Sequence, residues 1–291
     1  MKIAIRHHAI IDLLPGTPRA VHHLLLTPTN TPTQRVLDWS IAMEGFDAAC
    51  HFLDGYGNPA QLVNQTRIEG PIAVTVTGTV ETLPGNGVIG RLAGDPVPAL
   101  FRRQTDLTPP VPELVERFAA FERMGGGRIT LLHELMGHLA QRNRVADPSP
   151  DTPAHTQTLG TMTQMQADGV QSQSLDAGEP EDTPAAEDAR IVLDASGFAS
   201  AFIGTARALG IPARYVTGYH AGSDELGAGF HAWAEAWDDA LGWIAFDAAL
   251  SLCPTDRHVR LAGGLDAHTT LPLRSVPVVP MTQEVSIELV S

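Results

Sequence analysis

The chain has 291 residues, 43% of them hydrophobic, and a formal net charge of −14. That length holds two modest domains or one large one with a sizeable core, and the acidic balance argues against nucleic acid, whose partners carry a basic stripe. Two cysteines, Cys50 and Cys253, exclude a disulfide framework and fit a reducing compartment.

The first residues, "MKIAIRHHAIIDLLPG", contain no long apolar run and no small-residue cleavage site. No stretch approaches the roughly 20 apolar residues of a membrane span. A soluble cytoplasmic protein with no membrane contact is expected.

Residues 1–82 read as an antiparallel β sandwich or sheet. "KIAIRHHAII", "AVHHLLLT", "RVLDWSIAME" and "IAVTVTGTVET" are short runs rich in β-branched residues, divided by Pro, Thr and Asn. Gly55, Gly57 and Asn58 mark a hairpin turn. His7-His8 and His22-His23 alternate across strands and read as ordinary strand residues. Cys50 falls in this β domain and is expected to be buried.

Beyond about Pro109 the period becomes helical. Leu114, Phe118 and Phe121 form one stripe, and Ile129, Leu132, Leu135 and Leu139 a second, separated by "MGGGR". Residues 148–183 are rich in Pro, Thr, Gln, Asp and Ser and predict a mobile polar loop. After it, Phe198, Phe202, Ala206 and Leu209 recur at helical spacing, with Gly210 as the C-cap glycine and Pro212 just beyond. "ARYVTGY" and two further strands follow. The chain therefore divides into a β domain, 1–82, and an α/β core, 95–291.

"HELMGH" resembles a zinc-binding helix motif with one residue too many. His133 and His138 are five apart, about 140° around a helix, so they do not share a face. No metal and no cofactor are expected.

"HAWAEAWDDALGWIAFD" carries the chemistry. His231, Trp233, Glu235 and Trp237 alternate with Ala232, Ala234 and Ala236, which predicts a strand with one bulky and one small face. Trp243, Ala245 and Asp247 share a face of the next strand. If "DDA" is the turn and Trp237 pairs with Leu241, His231 lies directly opposite Asp247; a slip that keeps parity leaves them diagonal neighbours. A carboxylate beside an imidazole fixes its tautomer and stabilises its charged form. These residues alone leave open that the two are unrelated strand residues.

The ordered segments "SGFASAFIGTARALGIPARYVTGYHAG", "HAWAEAW" and "GWIAFDAALSLCPTDRHVRLAGGLD" resemble the transglutaminase-like superfamily, in particular its bacterial cysteine-protease-like group. "LLLTP", "VLDWS" and "DGYGN" resemble that group's N-terminal β domain. The resemblance implies an α+β fold, a papain-like transglutaminase core preceded by an antiparallel β domain. It implies a thiolate at a helix N-terminus that attacks an amide and passes the acyl group to water or an amine. His231 would be the general base and acid, Asp247 its orienting partner, and Trp233, Glu235, Trp243 and Arg214 the support of the site.

The thiolate does not carry over. Anchoring on Gly197, Phe198 and Ala199 puts the nucleophile at Ala195, where cysteine is expected. Ser196 is a substitute nucleophile or, more simply, the helix N-cap. Cys253 reads as a packed small residue. Three accounts stay open: a cysteine lost naturally, one replaced by design, and a nucleophile relocated to Ser196. The implied ligand is a peptide or protein amide, and the implied setting a partner enzyme in a peptide-modifying system. The rival from another class is a non-catalytic interaction scaffold.

Overall fold

The computed structural model describes residues 1–123, 125–144, 194–222 and 227–290. The polar segment expected at 148–183 lies outside them. The described strands are β1 (Lys2–Ile11), β2 (Arg19–Leu24), β3 (Gln34–Met43), β4 (Cys50–Leu53), β5 (Pro59–Thr66), β6 (Ile72–Thr82), β7 (Val88–Gly90), β8 (Ala213–His220), β9 (Gly229–Asp238), β10 (Gly242–Phe246), β11 (His258–Gly264), β12 (Leu273–Val276) and β13 (Met281–Val290). The helices are α1 (Pro112–Arg123), α2 (Arg128–Arg144) and α3 (Ala195–Ala208). Among the described residues, no helix is long and apolar enough to cross a membrane.

Three antiparallel sheets run β13-β1-β6-β3, β12-β2-β5-β4 and β11-β8-β9-β10-β7. The first two face each other over one apolar core. Ile3, Ile5 and Ile11 of β1 and Val74, Val76 and Val80 of β6 meet Ala20, Leu24 and Val63 of β2 and β5. Period-two alternation makes this possible, since every second side chain of β1 and β6 points inward. His7 and His22 point inward too and are buried; His7 Nδ1 lies 3.2 Å from the Tyr219 hydroxyl, and His22 Nε2 lies 3.1 Å from Gln65 Oε1.

Two findings depart from the sequence reading. Strands β12 and β13, read as part of the core at 95–291, join the two sheets of the N-terminal half by pairing with β2 and β1. Cys50 is exposed rather than buried, because β4 is a four-residue edge strand with every residue exposed.

The third sheet builds the site. Its small face, Ala232, Ala234 and Ala236 with Tyr215, Ile244 and Phe246, packs against Phe198, Ala199, Phe202, Ile203 and Ala206 of α3. Methyl side chains let the helix approach closely. At the far end of α3, the Gly210 N–H donates to Arg207 O and the Ile211 N–H to Ala206 O, with Gly210 at φ +79°; this paired closure reverses the chain into β8. Arg207, 4% exposed, locks that end by donating to the carbonyls of Phe101, Ala213 and Leu265 and to Thr108 Oγ1.

The edge of β11 is closed by two side-chain amides from the N-terminal half. Gln34 bonds both the N–H and the carbonyl of Arg260, at 2.7 and 2.9 Å, and Asn58 does the same to Gly263, at 2.8 Å each. Each amide makes the pair of bonds a neighbouring strand would make, so the buried edge is left satisfied.

Candidate active site

His231 Nε2 lies 2.5 Å from Asp247 Oδ2, and both residues are buried. The register differs by one pair from the sequence reading. Gly242 opposes Asp238 and Phe246 opposes Ala234, so Asp247 falls opposite Trp233 and diagonal to His231. The reason is Gly242 at φ +81°: the left-handed residue closes a three-residue loop over 239–241. The Asp238 carboxylate accepts from the N–H groups of Ala240 and Leu241 inside that loop.

β10 ends at Phe246, so β9 upstream of Ala234 has no described strand beside it on that flank. Asp247 sits at this opening. Its Oδ1 accepts from the N–H groups of Ala249 and Leu250, each at 3.1 Å, and its Oδ2 accepts from both His231 and His258, the latter at 3.1 Å. Burial alone would raise the Asp247 carboxyl; the hydrogen bonds from His231 and His258 outweigh it and hold the group well below the usual carboxylate range. The anion is therefore the resident species, and both imidazoles present Nε2–H to it.

His258 and His220, which sequence reasoning passed over, lie in the same cluster. The Thr255 N–H donates to His258 Nδ1 at 3.1 Å, and the Gly222 N–H donates to His220 Nδ1 at 3.2 Å. Each bond fixes the neutral tautomer with the proton on Nε2. The His220 ring lies 4.7 Å from His258 and 5.5 Å from His231, and Trp233 stacks beside His231 and meets the His258 ring edge-to-face. Burial, then the neighbouring His258 and His231, lowers His220 to about 4. Burial also lowers His258, against the raising effect of its bond to Asp247. Neither histidine stands in a recognisable motif; β11 pairs with β8 and brings them together, His258 opposite His220.

The donor atoms of His231, Asp247 and His258 lie within 4.8 Å of one another, close enough to surround an ion. The tautomer argues against it. A metal needs the bare lone pair of His258 Nε2, yet the Thr255 N–H claims Nδ1 and leaves the proton on Nε2. His133 and His138 pack separately, against Phe246 and Phe118.

Glu235, Arg214 and Trp243, three of the residues expected to support the site, belong to one buried ionic cluster with Arg260 and Asp95. Glu235 accepts from Arg214 Nε at 2.6 Å and Arg260 Nε at 2.9 Å, and Asp95 accepts from Arg214 Nη1 at 2.9 Å. The Arg214 guanidinium lies 4.1 Å over the Trp243 ring. Burial would raise Glu235, but the two guanidiniums hold it lowered.

Ala195 is the first residue of α3 and half-buried. Because α3 turns tightly into β8, its N-terminus lies toward the β8 end where Gly218 pairs with His231. The cap differs from expectation: Asp194, not Ser196, accepts from the Gly197 N–H, at 2.8 Å. Aspartate two residues earlier, at the position just before the helix, has the reach, and Ser196 is already inside the first turn. Ser196 Oγ instead accepts from the Tyr215 hydroxyl at 2.8 Å. Cys253 is half-buried, with its thiol raised by burial.

Residues 3–81 match the bacterial transglutaminase-like N-terminal region, and residues 167–248 match the transglutaminase-like superfamily core. No curated protein sequence matches. A presumed cysteine protease from Cytophaga hutchinsonii superposes with a TM-score of 0.63 at 19% identity, over 99% of this chain and 89% of that one. The periplasmic domain of TgpA from Pseudomonas aeruginosa, bound to ethylmercury, gives a TM-score of 0.33 at 14% identity, over 85% of this chain and 90% of that one. The two family matches together cover more than half of the residues, and with the fold shared along nearly the whole length they carry one conclusion: the chain belongs to the transglutaminase-like superfamily.

Proposed function

We propose that the protein is a catalytically silent member of this superfamily, with a papain-like core that binds peptide or protein amides where α3, β9 and β10 meet. One observation carries the reading: a buried, tautomer-defined His231–Asp247 pair accompanies a methyl side chain at the first position of α3. In a thiol amidase the helix N-terminus and the imidazole together stabilise a thiolate. Here the first position of the helix is Ala195, which has nothing to ionise. Ser196 is a poor substitute. Its oxygen accepts from Tyr215, whose hydroxyl is raised by burial, so the neighbour supplies a proton where a base is needed. A peptide-modifying partner enzyme and a cytoplasmic setting belong to the same proposal.

Restoring the thiol tests it. In Ala195→Cys, iodoacetamide should alkylate the new thiol near neutral pH faster than a free cysteine of pKa about 8.5, and His231→Ala in that background should slow it. A thiol with ordinary reactivity that ignores His231 would remove the catalytic ancestry from the reading and leave a scaffold. Ser196-dependent amide hydrolysis by the unaltered chain would replace it with an active enzyme.

A further inference from the structure

Asp247 Oδ2 carries two imidazoles where orienting one histidine needs only one. His258 reaches it from β11, a strand beyond the residues matched by the superfamily core. Three features make this contact more than core packing. The Thr255 N–H at Nδ1 commits the ring to donating through Nε2. Trp233 meets the His258 ring at 87° with centroids 5.4 Å apart, which holds its orientation. The oxygen it donates to is the one that holds His231, while the other carboxylate oxygen is saturated by backbone N–H groups.

We propose that His258 is a positioning residue of the His231–Asp247 pair: its N–H shares the carboxylate charge and thereby sets how strongly that charge holds His231. A carboxylate oxygen that serves two donors binds each less tightly than one that serves a single donor. The titratable groups around His258 are Asp247 from the end of β10, His231 from β9 and His220 from β8, and Arg257 is the cation acting on His220. The inference rests on the reading of His231 and Asp247 as the proton-handling pair.

Two variants separate donation from space-filling. His258→Phe removes the N–H and keeps a ring; His258→Gln keeps a donor. The first readout is the His231 Nε2 proton in the NMR spectrum of the otherwise unaltered protein, which needs no reactivity. With His258→Phe it should move downfield, as the whole carboxylate charge turns to His231, and with His258→Gln it should stay near the parent. The second readout is the pH profile of iodoacetamide alkylation in the Ala195→Cys background. His258→Phe should displace it to lower pH by about one unit, the worth of one charge-assisted hydrogen bond, because a more tightly held His231 imidazolium favours the thiolate, and His258→Gln should restore it. An unmoved proton in His258→Phe, or a glutamine variant that behaves like phenylalanine, overturns the proposal. An unreactive Ala195→Cys parent strikes the proposed function, and the NMR comparison still decides the role of His258. Should His258→Phe fail to fold, the glutamine variant alone decides: a displaced proton despite a retained donor refutes charge sharing.

Discussion

Strand β9 has two faces that solve opposite problems. One presents Ala232, Ala234 and Ala236 to α3, and its contacts are apolar and interchangeable in kind. The other presents His231, Trp233 and Glu235, and the imidazole and carboxylate there depend on named partners: Asp247 just past β10, Arg214 of β8 and Arg260 of β11. The first face gains from water excluded and shape matched. The second gains little net stability from its ion pairs, since desolvation consumes most of the Coulomb attraction, but losing one partner leaves a charge stranded. The apolar face places the helix, and the ionic face decides what that helix N-terminus meets.

The sharpest way to break the contrast is Glu235→Ala. It strands the buried Arg260 and leaves the buried Arg214 with Asp95 as its one carboxylate, and should cost about 3–5 kcal/mol, read by urea denaturation. A loss below 1 kcal/mol would show that water replaces the carboxylate freely and that the ionic face is no more demanding than the apolar one.

Acid attacks the polar groups without a mutation. His7 and His220 sit at about 4 in the folded chain, both lowered chiefly by burial, against an ordinary 6.5. The folded state then binds fewer protons than the unfolded one. The stability each histidine contributes is present above pH 6.5 and is lost as pH falls through 4. At about 1.4 kcal/mol per pH unit of displacement, each is worth on the order of 3 kcal/mol. Denaturation between pH 7 and 4 should follow that fall, and His220→Gln should flatten it; a slope unchanged by the substitution would reassign the acid sensitivity elsewhere.

The apolar face should tolerate more. Ala234→Leu pushes against α3 and should cost about 1–3 kcal/mol while leaving the His231–Asp247 bond in place, as the NMR signal of the His231 Nε2 proton would report. Disappearance of that signal would mean that the two faces are mechanically coupled.

The same contrast explains what the sequence could disclose. Alternation in "HAWAEAW" and "GWIAFD" is local, so the meeting of His231 and Asp247 follows from counting residues. The register does not, because the positive φ of Gly242 outranks the turn suggested by "DDA". His258 and His220 lack a motif and meet only when β11 pairs with β8. Strands β12 and β13 escaped for the same reason: "MTQEVSIELV" alternates, but nothing local says that its partner is β1, at the other end of the chain. Ser196 looked like a cap because serine suits that role, and the helix starts two residues earlier than serine needs.

That long-range pairing has a mechanical consequence. Lys2 lies opposite Val290, and the ladder continues residue by residue to Ile11 opposite Met281. Tension applied between residues 2 and 290 would therefore pull across the mouth of an antiparallel ribbon and load its cross-strand bonds one rung at a time, as in a zipper, instead of shearing all of them together. The seam should part at low force and peel toward Ile11 and Met281. The His7–Tyr219 contact lies partway along this path, so peeling would reach that tie to the third sheet while the Gln34 and Asn58 clamps on β11 still held.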